Sequence, residues 1–227
     1  LYISPLKALV VDIARNLETP VREMALPIKI DTRTGDTPSH RRRAQKRNPP
    51  HILLTTPESL TLMLSYADAP RMMGGIDTVI IDETHAIANS KRGDQLSLCF
   101  ARLQTLSPGL RRIGLSATVV EPDALAAWLS PTGSQDIVRR IDAGPGPTPV
   151  VEILRTDAAQ PWSGHSGRYA MPAVMAEIEK NVTTLIFVNT RSQAEQVFQE
   201  LWKGNHNGLP IALHHGSLSK EQRLKVE

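Results

Sequence analysis

Asp82 and Glu83 directly follow the apolar run Val79–Ile80–Ile81 and directly precede Thr84–His85. Adjacent carboxylates at the end of a dry strand suit phosphate transfer, which needs a group to hold hydrated Mg²⁺ and a group to position the attacking water. Asp82 is then expected to face the metal through water, and Glu83 the water that attacks. An Asp-Glu pair in isolation is more often an acidic turn capping the next helix. The β-branched run before it and the Thr-His after it favour the chemical reading.

Six other polar clusters occupy comparable places: Ser4–Lys7, Thr34–Asp36, Thr55–Glu58, Ser116–Thr118, Asn189–Arg191 and His214–Ser217. Each follows a short apolar run. Open parallel sheets bind ligands at the carboxyl ends of their strands, so the shared position matters more than any one cluster.

The elements that must position these clusters alternate. Strands are expected at 1–3, 28–30, 52–56, 78–81 and 113–115, the run 78–81 being buried on both faces. Ser4–Pro5 reads as a helix cap with proline in the first turn, and Leu6, Leu9, Val10, Ile13 and Leu17 follow at helical spacing. Further helices are expected from Ser39 to Arg47, through Leu60–Leu64 and through Leu96–Leu106. Such alternation predicts an α/β fold with a parallel sheet and right-handed crossovers. The run Ala143–Gly144–Pro145–Gly146–Pro147–Thr148–Pro149 signals a linker. After it come a helix around 173–178, a strand at 184–188, a helix at 193–202 and a strand at 211–213. The expected domains are 1–143 and 170–227, the second incomplete, with 144–169 between them.

The 227 residues are 41% apolar and 22% charged, with 26 Lys+Arg against 23 Asp+Glu, which permits a polyanionic partner without demanding one. The single cysteine, Cys99, sits in an apolar run and reads as a core filler; a lone cysteine also favours a reducing compartment such as cytoplasm. No stretch approaches the ~20 apolar residues of a membrane span. Leu1–Tyr2–Ile3 opens inside a strand pattern and Leu224–Val226 stops inside a helical one, so the chain reads as a fragment cut at both ends. The Arg41–Arg42–Arg43 run reads as a solvated helix face. His214–His215 would alternate across a strand and chelate one ion poorly. Trp128 and Trp202 sit in helical patterns and read as core, although they and Trp162 have faces on which bases could stack.

Asp82–Glu83–Thr84–His85 resembles motif II (Walker B, D-E-x-H type) of superfamily 2 DEAD/DEAH-box helicases, and Ser116–Ala117–Thr118 resembles motif III. Ser4–Pro5–Leu6–Lys7–Ala8–Leu9 resembles motif Ia. Thr34–Gly35–Asp36 and Thr55–Thr56–Pro57–Glu58–Ser59–Leu60 are similar to the strand-gripping motifs of the first RecA-like domain. Leu185–Arg191 resembles motif IV, and His214–Ser219 the element that follows it. All stand in the family's order. Lys91–Arg92–Gly93, the string Arg112–Thr118 and His214–Leu218 point to the large helicase-related (Lhr-type) branch.

The resemblance implies two RecA-like domains, ATP and Mg²⁺ as cofactors, and single-stranded DNA or RNA with a duplex substrate as partners, without a membrane. It gives catalytic roles to Asp82, Glu83, His85, Ser116 and Thr118: His85 joins the nucleotide site to the domain interface, and Ser116 and Thr118 link hydrolysis to domain movement. It gives phosphate contacts to Ser4, Lys7, Gly35, Thr56 and Ser59 in the first domain, and to Asn189, Thr190, Arg191, His215 and Gly216 in the second. Backbone contact suits an enzyme that steps along any sequence. The expected activity is helicase movement 3′ to 5′ with unwinding of DNA or RNA–DNA duplex in repair. The alternatives are a scaffold on the same fold and a translocase that remodels without unwinding. The phosphate loop G-x-x-x-x-G-K-S/T and the arginine finger have no counterpart in the chain, so this stretch alone is expected to hydrolyse almost no ATP.

Overall fold

The structure, a computed structural model, describes residues 1–117, 119–144, 146–156, 162 and 167–226. The chain divides into two compact units, Leu1–Ala143 and Gly144–Glu227.

The first unit is an α/β layer structure. Its strands are β1 (Tyr2–Ile3), β2 (Ile30–Arg33), β3 (Ile52–Thr55), β4 (Thr78–Ile81) and β5 (Arg111–Gly114). They form one sheet in the order β2-β3-β1-β4-β5, and every pairing is parallel. Parallel neighbours need crossovers. These are α1 (Lys7–Glu23), α2 (Ser39–Arg47), α3 (Pro57–Leu64) with α4 (Ala69–Met73), and α5 (Thr84–Ala88) with α6 (Lys91–Leu106); α7 (Pro122–Leu129) follows β5.

Both faces of the sheet are covered. On one, Val10 and Ala14 of α1 bury Leu54. On the other, Ile3, Val79 and Ile81 pack with Leu60 and Met63 of α3 and Leu96, Phe100 and Leu103 of α6. Side chains alternate along a strand, and β4 shows it: Val79 and Ile81 are buried, whereas Thr78 and Ile80 are half-buried. The expected burial of 78–81 on both faces therefore holds fully for one face only. Cys99 is buried beside Thr61 Oγ1 at 3.3 Å. Burial raises its thiol pKa, which leaves it inert core. Trp128 is also core, edge-on to Phe100 with centroids 5.5 Å apart.

Register decides where the chemistry goes. Arg33 pairs with Thr55, Thr55 with Ile3, Ile3 with Ile81 and Ile81 with Gly114. All five strands thus finish on one line. Ser4 and Asp82 extend it by one residue, their N–H groups donating to Thr55 O (3.0 Å) and Ile3 O (2.8 Å).

The Ser4–Pro5 cap is not formed. Ser4 continues β1 and is buried, and α1 starts at Lys7 with Leu6 as its extended N-cap. Because α1 begins only at Lys7, Ser4 stands two residues ahead of the N-cap position, and its buried hydroxyl meets no helix N–H.

The second unit contains a short 3₁₀ turn (Arg168–Ala170), α8 (Met171–Lys180), α9 (Arg191–Gly204) and α10 (Lys220–Val226). The strands expected at 184–188 and 211–213 are not formed, and Leu185 and Phe187 are exposed. A parallel strand exists only as hydrogen bonds to a neighbour. In the first unit the first and second strands are kept apart by the third, so by that order 184–188 and 211–213 are not partners of each other. Trp202, expected in the core, is 57% exposed and stacks on Phe198 at 5.8 Å. Among the described residues no helix is long and apolar enough to cross a membrane.

Candidate functional site: the carboxyl edge of the first sheet

Asp82 is the first residue past β4. Its Oδ1 accepts the N–H of Glu83 at 2.9 Å, and Glu83 takes left-handed backbone angles (φ 48°, ψ 43°). A non-glycine residue in that region is held there by its surroundings, usually at a functional turn. The clamp is Thr84, fully buried. Its N–H donates to Leu115 O at 2.9 Å, and its Oγ1 lies 2.9 Å from Ile81 O and 3.0 Å from Leu115 O. One threonine therefore locks the end of β4 to the end of β5.

That lock brings the 82–85 and 116 segments together. His85 Nδ1 lies 2.8 Å from Ser116 Oγ, and His85 Nε2 lies 3.3 Å from Glu83 Oε2. The tautomer protonated at Nε2 satisfies both contacts, with Ser116 donating to Nδ1. Glu83, His85 and Ser116 thus form a continuous polar chain. Thr118 lies outside the described residues. Tyr2, on the neighbouring strand, has its phenol pushed upward in pKa by burial, by a hydrogen bond to the Asp82 carboxylate, and by the charges of Asp82 and Glu83.

The turns after β1, β2 and β3 make a second cluster. Lys7 Nζ sits 3.0 Å from both carboxylate oxygens of Asp36, and a Cβ on Gly35 would come within 3.4 Å of that ammonium. Lys7 and Gly35 are thereby brought together. The 34–37 turn is held from behind by Arg42, whose Nε donates to Thr37 O (2.7 Å) and whose Nη2 donates to Gly35 O (2.7 Å). Thr56 Oγ1 donates to Ser59 Oγ at 3.2 Å. Ser4 and Thr56 are buried and do not share the exposure of Lys7, and the Ser4 hydroxyl has no hydrogen-bond partner among the described residues.

In the second unit Thr190 caps α9, its Oγ1 accepting the Gln193 N–H at 3.1 Å. Arg191 Nη1 donates to Ser217 Oγ at 2.5 Å, and the Ser217 N–H donates to His215 Nδ1 at 3.3 Å. His215 Nε2 lies 3.2 Å from Glu195 Oε1. Gly216 adjoins Arg191, and Asn189 is exposed one residue before the cap. Arg191, His215 and Gly216 are thus gathered, although no ladder supports them. Among the described residues no group of three or more His, Cys, Asp or Glu could hold a metal ion.

Sequence reasoning missed two arginines. Arg42 belongs to the run read as solvated, yet it braces the 34–37 turn; the signal was an arginine in the first turn of a helix directly behind a Gly-containing loop. Arg92 served only as a branch marker. In the structure it donates from Nε to Glu58 Oε1 (2.6 Å) and from Nη2 to Glu58 Oε2 (3.2 Å) and Pro5 O (2.8 Å).

The DEAD/DEAH box helicase family model matches residues 1–125. The ATP-dependent helicase Lhr-Core protein 2 of Thermococcus barophilus is 38% identical over 250 aligned residues, covering 100% of this chain and 28% of the relative. The Lhr helicase/uracil glycosylase of Escherichia coli is 35% identical over 284, covering 100% and 18%. The structure of Mycobacterium smegmatis helicase Lhr bound to ssDNA and AMP-PNP matches with a TM-score of 0.75 at 37% identity, over 99% of this chain and 31% of that one. The chain thus spans under a third of each of these relatives, and its parallel sheet has the RecA-like helicase fold. The chain belongs to the DEAD/DEAH box helicase family, with the Lhr-type helicases among its relatives.

Proposed function

We propose that this chain is the core of an ATP-dependent helicase that steps 3′ to 5′ along single-stranded nucleic acid and unwinds duplex in cytoplasmic DNA repair. Residues 1–143 act as the first RecA-like domain, 144–169 as linker and 170–227 as the start of the second. The observation that carries the reading is the Glu83–His85–Ser116 chain at the sheet edge.

Glu83 orients the attacking water and takes its proton, held toward the site by its left-handed turn. A single carboxylate, Asp82, suits Mg²⁺, which keeps several waters and shares its remaining ligands with substrate phosphates. When bound, the ion would neutralise charge on those phosphates. His85 and Ser116 pass the state of Glu83 to β5, and Thr118 shares in linking hydrolysis to domain movement. Lys7, Gly35 and Ser59 face the strand's phosphates, with Ser4 and Thr56 setting the turns; Asn189, Thr190, Arg191, His215 and Gly216 do the same in the second domain.

The test is ATP turnover by the full-length protein with and without single-stranded DNA or RNA, beside displacement of a strand from a 3′-tailed duplex. Turnover raised by the strand, with displacement, is expected. Turnover absent, or indifferent to the strand, overturns the motor in favour of a scaffold; turnover without displacement makes it a remodelling translocase.

A further inference from the structure

Arg92 opens α6, the helix that follows the Asp82–His85 turn and α5. Its guanidinium reaches two segments distant in sequence: the Glu58 carboxylate in the first turn of α3, and the Pro5 carbonyl past β1. Those positions neighbour Ser59 on one side and Lys7 on the other. The base of α6 is itself fixed. Ser90 caps it, its Oγ accepting the Gly93 N–H at 3.3 Å, and Gly93 packs so closely that an added Cβ would meet Ala88 O at 2.3 Å.

We infer that Arg92 is a positioning residue that ties the turns after β1 and β3 to the helix pair behind Asp82–Glu83, and so sets how tightly the protein grips a nucleic-acid strand. The inference rests on the helicase reading above. Exposed ion pairs contribute little on average. This one differs in geometry: the fork meets both carboxylate oxygens, and Nη2 also serves a backbone carbonyl, so one planar group fixes three segments. Lysine cannot reproduce that, having no fork. Arg92 need not touch the strand; it acts through Pro5 and Glu58.

The experiment measures strand-stimulated ATP turnover of the full-length protein over a titration of single-stranded DNA, for wild type, Arg92→Ala, Arg92→Lys and Glu58→Gln, with melting temperatures alongside. The strand concentration for half-maximal stimulation is expected to rise roughly tenfold in Arg92→Ala, and by a similar factor in Glu58→Gln, while turnover at saturating strand stays within about twofold. Arg92→Lys should recover part of the loss. A purely structural arginine would instead lower melting temperature and saturated turnover together, and that pattern overturns the inference. Should Arg92→Ala fail to fold, Glu58→Gln and Arg92→Lys decide alone: an unchanged half-saturating concentration in both removes the positioning role. Wild-type turnover indifferent to the strand overturns the helicase reading and this inference with it; strand-dependent wild-type turnover with no shift in the variants overturns this inference alone.

Discussion

His85 Nδ1 lies 2.8 Å from the hydroxyl of Ser116, on the far side of the β4–β5 junction, while the other ring nitrogen faces Glu83 at 3.3 Å. The contact exists because Thr84 hydrogen-bonds Leu115 O with both its N–H and its hydroxyl, which aligns the two turns. Both ring nitrogens are thereby engaged, and under the proposed function a change at Glu83 would reach Ser116 through this ring.

Ser116→Ala should therefore separate hydrolysis from movement. Its hydroxyl touches His85, which stands between it and Glu83, so ATP turnover should stay within about twofold, while strands displaced per ATP fall roughly tenfold. The ratio of the two rates, measured on one preparation, checks this. Equal losses in both rates would put Ser116 in the chemistry itself.

Glu83→Gln preserves size and the left-handed turn, because the Asp82 Oδ1 contact is made to the residue 83 N–H and not to its side chain. It removes the proton acceptor. Turnover should fall by about 10²–10⁴, while a fluorescent ATP analogue still binds. Wild-type hydrolysis in the variant would exclude Glu83 as the base.

Much of this edge was legible in the sequence. Short continuous apolar runs ending in polar clusters identify strand ends, and a parallel sheet puts those ends on one side. Strand 78–81 and helix 39–47 were legible to the residue. What was not legible came from long-range contact. Ser4 looks like a helix cap locally, but the ladder through Thr55 claims it. Arg42 and Arg92 look like surface charge until the carbonyls they serve are brought near by the fold. Residues 184–188 carry a strand's composition, yet composition supplies no hydrogen-bond partner.

Lys7 and Asp36 pair at 3.0 Å with both side chains largely exposed. A phosphate arriving at Lys7 competes with Asp36 for the ammonium. Lys7→Ala should weaken strand binding and lower the slope of log K against log salt by about 0.7. Asp36→Asn should do the reverse, tightening binding by at most about fivefold, since an exposed pair is worth ~0–1 kcal/mol. Titrations at several salt concentrations read both, and an unchanged slope in Lys7→Ala removes it from the phosphate contacts.

Gly93→Ala has no room. The added methyl would lie 2.3 Å from Ala88 O and 2.5 Å from Ile87 O, both backbone atoms that cannot rotate away. Relief requires α5 and α6 to separate, and overpacking of this kind costs about 1–3 kcal/mol. A lowered melting temperature is expected. An unchanged one would mean the α5–α6 junction yields freely, which conflicts with a fixed base for Arg92.

Burial alone would raise the pKa of Glu58, but the hydrogen bond from Arg92, a backbone N–H, the Arg92 charge and the Thr56 hydroxyl together outweigh it and hold the carboxyl below its usual range. A carboxyl depressed in the folded state stabilises it fully above the unfolded pKa, and that stability is lost as pH falls through the folded one. Glu58→Gln should therefore melt below wild type at neutral pH, and the gap should close as pH falls below about 4, the range where free glutamate titrates. Because the Glu58 side chain is 55% exposed, solvent screening keeps the gap small. Melting curves of both proteins across that interval test it: a gap that widens toward acid would mean that the Arg92 contact does not hold Glu58 ionised.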